Sequence, residues 1–141
     1  MPSTWKECMD EGKVRTASID KGMSLSLIEM SDNRMDFLES QKISDRNASI
    51  IMSEYYEAMR EVCEALITLK GFRCYSHECI TFFIKEILEQ EEIAIIFDRY
   101  RKVRNKINYY GKKVKPDFAL QGKEDIKNII SELKKIIETI H

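Results

Sequence analysis

From Ile51 the apolar residues recur at positions 51, 55, 58, 59, 62, 65, 66 and 69. That i, i+3, i+4, i+7 spacing puts them on one helix face. Ser44 or Asp45 is placed to cap the start, and Lys70-Gly71 closes the segment with a cation and a C′ glycine. The spacing predicts a helix from Asp45 to Lys70. Ahead of it, Ile19, Met23, Leu27, Met30, Phe37 and Leu38 keep helical spacing over Thr16 to Gln41, although Ser24 to Leu27 alternates. The Trp5 region reads either as a further short helix or as a loose arm over residues 1–15.

Beyond Gly71, Ser76 is a plausible N-cap with Glu78 in the first turn, and Ile80, Phe83, Ile84, Ile87 and Leu88 form a shorter face. A run of glutamates (Glu86, Glu89, Glu91, Glu92) separates it from the next stripe. That stripe is Ile93, Ile96, Phe97, Tyr100, Val103, Ile107 and Tyr110, ending at Gly111. Lys112 to Gly122, which contains Pro116, is expected to be a linker. Ile126, Ile129, Ile130, Leu133, Ile136, Ile137 and Ile140 then mark a last helix, acidic at Glu124 and Asp125 and basic at Lys134 and Lys135, as the macrodipole favours. No Gly or Pro falls between Gly22 and Gly71, or between Gly71 and Gly111. The expected architecture is an all-α antiparallel bundle of about five helices, one domain over residues 1–141.

Composition narrows the class. With 43% hydrophobic and 33% charged residues the chain is neither disordered nor collagen-like. Gly 5 and Pro 2 are too few for turn-rich sandwiches and barrels. The longest apolar run, Ile93 to Phe97, falls far short of the ~20 residues that span a bilayer, so no membrane partner is expected. The first residues carry no apolar signal region, and Cys8, Cys63, Cys74 and Cys79 form no C-x-x-C pair. A reduced, cytoplasmic protein is the expectation. His77, near Cys74 and Cys79, lacks a fourth ligand at zinc spacing, so no metal is expected there. His77 itself reads as a capping or packing residue, and no cofactor motif is present.

Charge changes the picture most. The formal net charge is only -1, which excludes a basic nucleic-acid coat. Yet Arg99, Arg101, Lys102, Arg104, Lys106, Lys112, Lys113 and Lys115 fall within one short stretch that contains no acidic residue. Such a patch is either a solvated helix face or a footprint for phosphate. Arg104 lies one turn after Tyr100 and three residues before Ile107, inside the apolar stripe. A guanidinium there needs a partner, either a carboxylate such as Glu54 or Glu57 or a bound phosphate. Asn105, Asn108, Tyr109 and Tyr110 follow, and aromatics beside cations suit stacked bases.

The run Arg104-Asn105-Lys106-Ile107-Asn108-Tyr109-Tyr110-Gly111 resembles the signature of the HEPN domain (higher eukaryotes and prokaryotes nucleotide-binding). That signature is an Arg, usually followed by a polar residue, with a His after four to six intervening positions. Upstream, Tyr55-Tyr56-Glu57-Ala58, Ala65, Lys70-Gly71 and Ser76-His77 resemble the family's aromatic pair, small residue, glycine and Ser-His pattern. The resemblance implies a helical bundle, commonly a homodimer, with the signature Arg of both subunits facing a shared cleft. Many relatives are metal-independent endoribonucleases, and some are toxins paired with a minimal nucleotidyltransferase. It implies catalytic roles for Arg104, Asn105 and Tyr109, and contacts to RNA or a nucleotide by Arg101, Arg104, Asn108, Lys112 and Lys113. The chain departs from the pattern at Tyr109, which occupies the His position; a phenol that titrates near ~10 is a poor base at neutral pH. Ideal helix geometry also brings Asn108 nearer than Tyr109 to the azimuth of Arg104. The alternative is a non-enzymatic module that docks a minimal nucleotidyltransferase or another acidic partner.

Overall fold

The computed structural model describes residues 1–140. Its helices are α1 (Trp5–Asp10), α2 (Lys21–Glu39), α3 (Ala48–Leu69), α4 (His77–Phe82), α5 (Glu91–Tyr110) and α6 (Pro116–Glu138). Two short strands, β1 (Val14–Thr16) and β2 (Phe72–Cys74), pair antiparallel with Val14 opposite Cys74 and Thr16 opposite Phe72. The protein is therefore mostly helical, with one minimal ladder added to the expected bundle. None of the helices in the described residues is long and apolar enough to cross a membrane.

α3 is the axis of the fold, with α2 and α6 packed along it and α5 closing a further side. Its apolar stripe is broad because it is buried on several sides: Met52, Tyr55, Tyr56, Met59, Val62 and Leu66 are all withdrawn from water. Against them lie Ile80, Phe83 and Ile84 of the α4 region, Phe97 and Tyr100 of α5, and Ile126 and Leu133 of α6. α3 starts at Ala48 rather than Asp45. Asn47 shapes the entry by accepting from the Ser44 N–H (2.8 Å) and donating to the Lys42 carbonyl (2.9 Å). At the other end Gly71 takes φ +85°, the left-handed backbone that Lys70-Gly71 promised, and its carbonyl accepts from Ala17 N–H (2.8 Å) to start the β1–β2 ladder.

Four further expectations change. Thr16 belongs to a strand, and the second helix begins only at Lys21, capped by the Asp20 carboxylate on Met23 N–H (2.9 Å). Residues 1–15 are not a loose arm: Trp5 and Cys8 are buried, and the Trp5 ring packs perpendicular to Phe72 and at a tilt to Phe83. Nor are the four cysteines all free. Cys8 and Cys79 form a disulfide that joins α1 to α4 across 71 positions, while Cys63 and Cys74 remain thiols. Burial pushes the Cys74 thiol up to about 11. The expected linker before Gly122 is helical from Pro116, a residue suited to a first helical position. Gly122 is tolerated within that helix because a Cβ there would overlap the Met52 thioether and crowd Tyr100; the glycine lets α6 approach α3.

α4 does not run on as an α-helix. Phe83–Ile87 forms a π-helical turn, and Glu89 takes φ 56° before α5 begins. The bend sets α4 and α5 side by side, with Thr81 Oγ1 donating to Asp98 (3.2 Å). The start of α4 is thereby brought against the middle of α5.

Candidate functional site

Three elements meet at one place: the middle of α3, the start of α4 and the second half of α5. From α3, Tyr56 is fully buried and supports two neighbours at once. Its ring lies 5.6 Å from the Arg104 guanidinium carbon, and its hydroxyl meets Nδ1 of His77 at 3.1 Å. One turn along α3, Arg60 is held by Glu57 (2.9 Å) and Glu64 (2.5 Å). On α5, Arg101 donates Nε and Nη2 to Asp98 at 2.9 and 2.8 Å.

Arg104 falls on the apolar stripe, as its spacing predicts, and its side chain is only 18% exposed. Its partners are weak. Nη2 lies 3.4 Å from Glu57 Oε1, Nη1 donates to Asn105 Oδ1 at 3.3 Å, and the buried Nε has no partner. Apart from that Nε, the Tyr55 hydroxyl is the one buried side-chain N or O without a partner among the described residues. A guanidinium offers five N–H donors in a planar fork, so most of the capacity of Arg104 is unused.

The electrostatics follow from this crowding of cations. Burial pushes His77 down, and the positive charges of Arg60, Arg104 and Arg101 push it further, to about 4. Its ring is therefore neutral at physiological pH. Burial works to raise Glu57, but its hydrogen bond to Arg60 and the charges of Arg60 and Arg104 hold the carboxyl below its ordinary value. Burial raises the Tyr56 phenol, which stays protonated.

Arg104 stands between two depressions. On one side Ser76, His77 and Glu78 face Arg101, Arg104, Asn105 and Tyr109 across an open hollow of about 340 Å³, within the range of small-ligand sites. On the other, Ile50, Ser53, Glu54 and Glu57 face Arg104, Ile107 and Asn108. The expected residues are thus divided. Arg101, Arg104, Asn105 and Tyr109 share the first hollow, with Tyr109 at its exposed rim. Asn108 lies across Arg104 in the second, where its Oδ1 accepts from the Ser53 hydroxyl at 3.4 Å. Glu57 reaches Arg104, whereas Glu54 is engaged by Arg34. Lys112 and Lys113 are exposed just past the end of α5 and make no ion pair among the described residues.

Two residues enter the site beyond those expected: His77, read from sequence as a cap or packing residue, and Tyr56, read there as half of an aromatic pair. The Ser76-His77 pair after the glycine was the available signal. Among the described residues no group of three or more His, Cys, Asp and Glu side chains is placed to hold a metal ion. What the first hollow offers an oxyanion is two guanidiniums, a side-chain amide and a phenol as donors, beside the Ser76 hydroxyl, a neutral imidazole and the Glu78 carboxylate. No model of a known protein family matches the chain, and no curated protein matches it.

Proposed function

We propose that this chain is a HEPN-type nucleic-acid or nucleotide-binding protein whose Arg101–Arg104 hollow receives a phosphate group. Metal-independent RNA cleavage is the reaction such a site would serve. The observation that carries the reading is the underused Arg104 fork. A buried guanidinium with an orphan Nε and only long contacts is costly unless something completes it. An RNA phosphate completes it with short, charge-assisted bonds. The basic run from Arg99 to Lys115 adds a nearby attraction for the backbone, and the Arg104 to Gly111 signature supplies the family resemblance.

The test is the binding of a fluorescein-labelled single-stranded RNA, followed by anisotropy over a range of salt. Affinity is expected to fall with a log–log slope of about −0.7 for each phosphate neutralised. Arg104→Lys keeps the charge and loses the fork, and should weaken binding about tenfold. Affinity indifferent to both salt and this substitution would overturn the reading.

A second reading, the non-enzymatic docking module, is favoured by one surface. Met30, Phe37 and Ile50 are exposed and line a groove between α2 and α3 that shares Ile50 and Glu54 with the second hollow. A second copy seated there would form a homodimer with its partner beside Arg104. Sedimentation at micromolar concentration should then show a dimer. A monomer that binds no RNA would leave docking of a partner such as a minimal nucleotidyltransferase in front.

A further inference from the structure

The signature histidine is missing from α5, but the hollow has a histidine from another element. His77 lines it from the start of α4, opposite Arg101 and Arg104. Its Nδ1 is taken by the Tyr56 hydroxyl at 3.1 Å, and Nε2 makes no hydrogen bond among the described residues. The same Tyr56 ring supports the Arg104 guanidinium, so one buried side chain sets both groups.

We infer that His77 is the proton-accepting group of this hollow, taking on α4 the role for which Tyr109 on α5 is unsuited. The inference rests on the phosphate reading above and adds the acid–base residue to it.

The groups facing His77 are Tyr56, Glu57 and Arg60 from α3, Arg101, Arg104 and Tyr109 from α5, and Glu78 beside it on α4. Burial first, and then the three guanidiniums among them, keep the empty site's imidazole neutral, which is the form a base requires. When a phosphodiester lies against Arg101 and Arg104 its negative charge offsets theirs, which removes the charge part of the depression while burial remains, so the imidazole is a stronger base with substrate in place than without it. The base requires the tautomer whose ring proton sits on Nδ1 and is donated to the Tyr56 oxygen, which leaves the Nε2 lone pair for a ribose 2′-hydroxyl. That hydroxyl gives its proton to Nε2 while its oxygen attacks the adjacent phosphorus. The phosphorus–O5′ bond breaks, O5′ leaves with its electron pair and takes a proton from water, and the imidazolium returns its proton to solvent. The products are a 2′,3′-cyclic phosphate and a 5′-hydroxyl, and Arg104 faces the charge that gathers on the phosphoryl oxygens.

The experiment compares the full-length wild type, His77→Gln and Tyr56→Phe on one single-stranded RNA in EDTA, reading affinity, cleavage products and the pH profile. His77→Gln should bind RNA near wild-type affinity and cleave about a hundredfold more slowly or worse. It should also lose the acidic limb along which wild-type kcat/KM falls as pH is lowered. Tyr56→Phe keeps the ring under Arg104 and removes the hydroxyl, so it should bind normally and cleave at an intermediate rate. A folded His77→Gln that cleaves at the wild-type rate overturns the inference. So does wild type that binds RNA without cleaving it, an outcome that leaves the phosphate reading standing. Wild type that binds no RNA overturns both. Should His77→Gln fail to fold, the Tyr56→Phe rate and the wild-type pH profile decide: no acidic limb and no rate change would overturn it.

Discussion

Two arginines flank α3, and they are used differently. Arg34, on α2, is complete. Its Nε and Nη2 reach the two oxygens of Glu61 at 3.0 and 3.2 Å, and Nη1 reaches Glu54 at 2.5 Å. The Glu61 side chain is 1% exposed and has no other partner among the described residues. The Glu61 hydrogen bonds, ahead of those to Glu54, hold Arg34 more firmly protonated than usual. Arg104, on α5, is no more exposed than Arg34, yet its carboxylate contact is long and its Nε is orphaned. A charge whose partners are supplied within the chain ties two helices together. One that is held in place but left incomplete has donors to spare, which is what the proposed phosphate site requires.

The largest expected effect breaks the first arginine. Arg34→Met strands the buried Glu61 carboxylate and should cost about 3–5 kcal/mol of folding free energy, read from urea denaturation. Adding Glu61→Leu to it should restore much of that loss, because an apolar pair needs no charge partner. Arg104→Met, by contrast, removes one long contact to a carboxylate that Arg60 still holds, a weak bond to Asn105 and the packing over the Tyr56 ring, and should cost about 1 kcal/mol. Equal losses at the two positions would erase the distinction.

A smaller effect is read from pH. The unfolded His77 binds a proton near its ordinary 6.5, while the folded one holds off until about 4. Between those values the unfolded state carries more protons, so stability falls as pH drops through the window and is fully retained above it. For a half-buried ring screened by solvent the loss should be about 1–2 kcal/mol. Thermal melts across that range should show the slope in wild type and in Arg34→Met, and lose it in His77→Gln. Glu57 adds its own loss as pH falls from the ordinary carboxylate value toward its lower folded one. The smallest effect is at the exposed lysines. Lys112→Ala with Lys113→Ala should leave stability within about 0.5 kcal/mol. The pair should flatten the salt dependence of RNA binding by about 1.4, two phosphates' worth.

What could be read from the sequence follows the physics of each element. α3, α5 and α6 announce themselves through long apolar stripes, and Arg104 stands out because it interrupts one. Gly71 is legible because a left-handed residue must end a helix there. The β1–β2 ladder is not, since three-residue strands have no period to detect. The Phe83–Ile87 π turn keeps an apolar spacing that mimics an ordinary helix. Pairing of Cys8 with Cys79 and burial of Trp5 are tertiary events, set by where α1 docks against α4 rather than by local pattern. Gly122 looked like a breaker because its reason for being small, the approach to Met52, lies on another helix. His77 was hidden for the same cause: only the bend after α4 brings it opposite Arg104. The closed Arg34–Glu61 pair went unnoticed because its spacing on each helix suggests an ordinary solvated charge.

The most direct test watches both arginines together. In nitrogen-15 spectra each arginine Nε–H gives its own signal, and single substitutions of Arg34 and Arg104 assign the two that matter. On titration with a short single-stranded RNA, the Arg104 Nε–H should shift progressively as a phosphate engages the Nη end of its guanidinium, while that of Arg34, already bonded to Glu61 at 3.0 Å, stays still. An Arg104 signal that does not move at RNA concentrations that saturate binding would contradict the account.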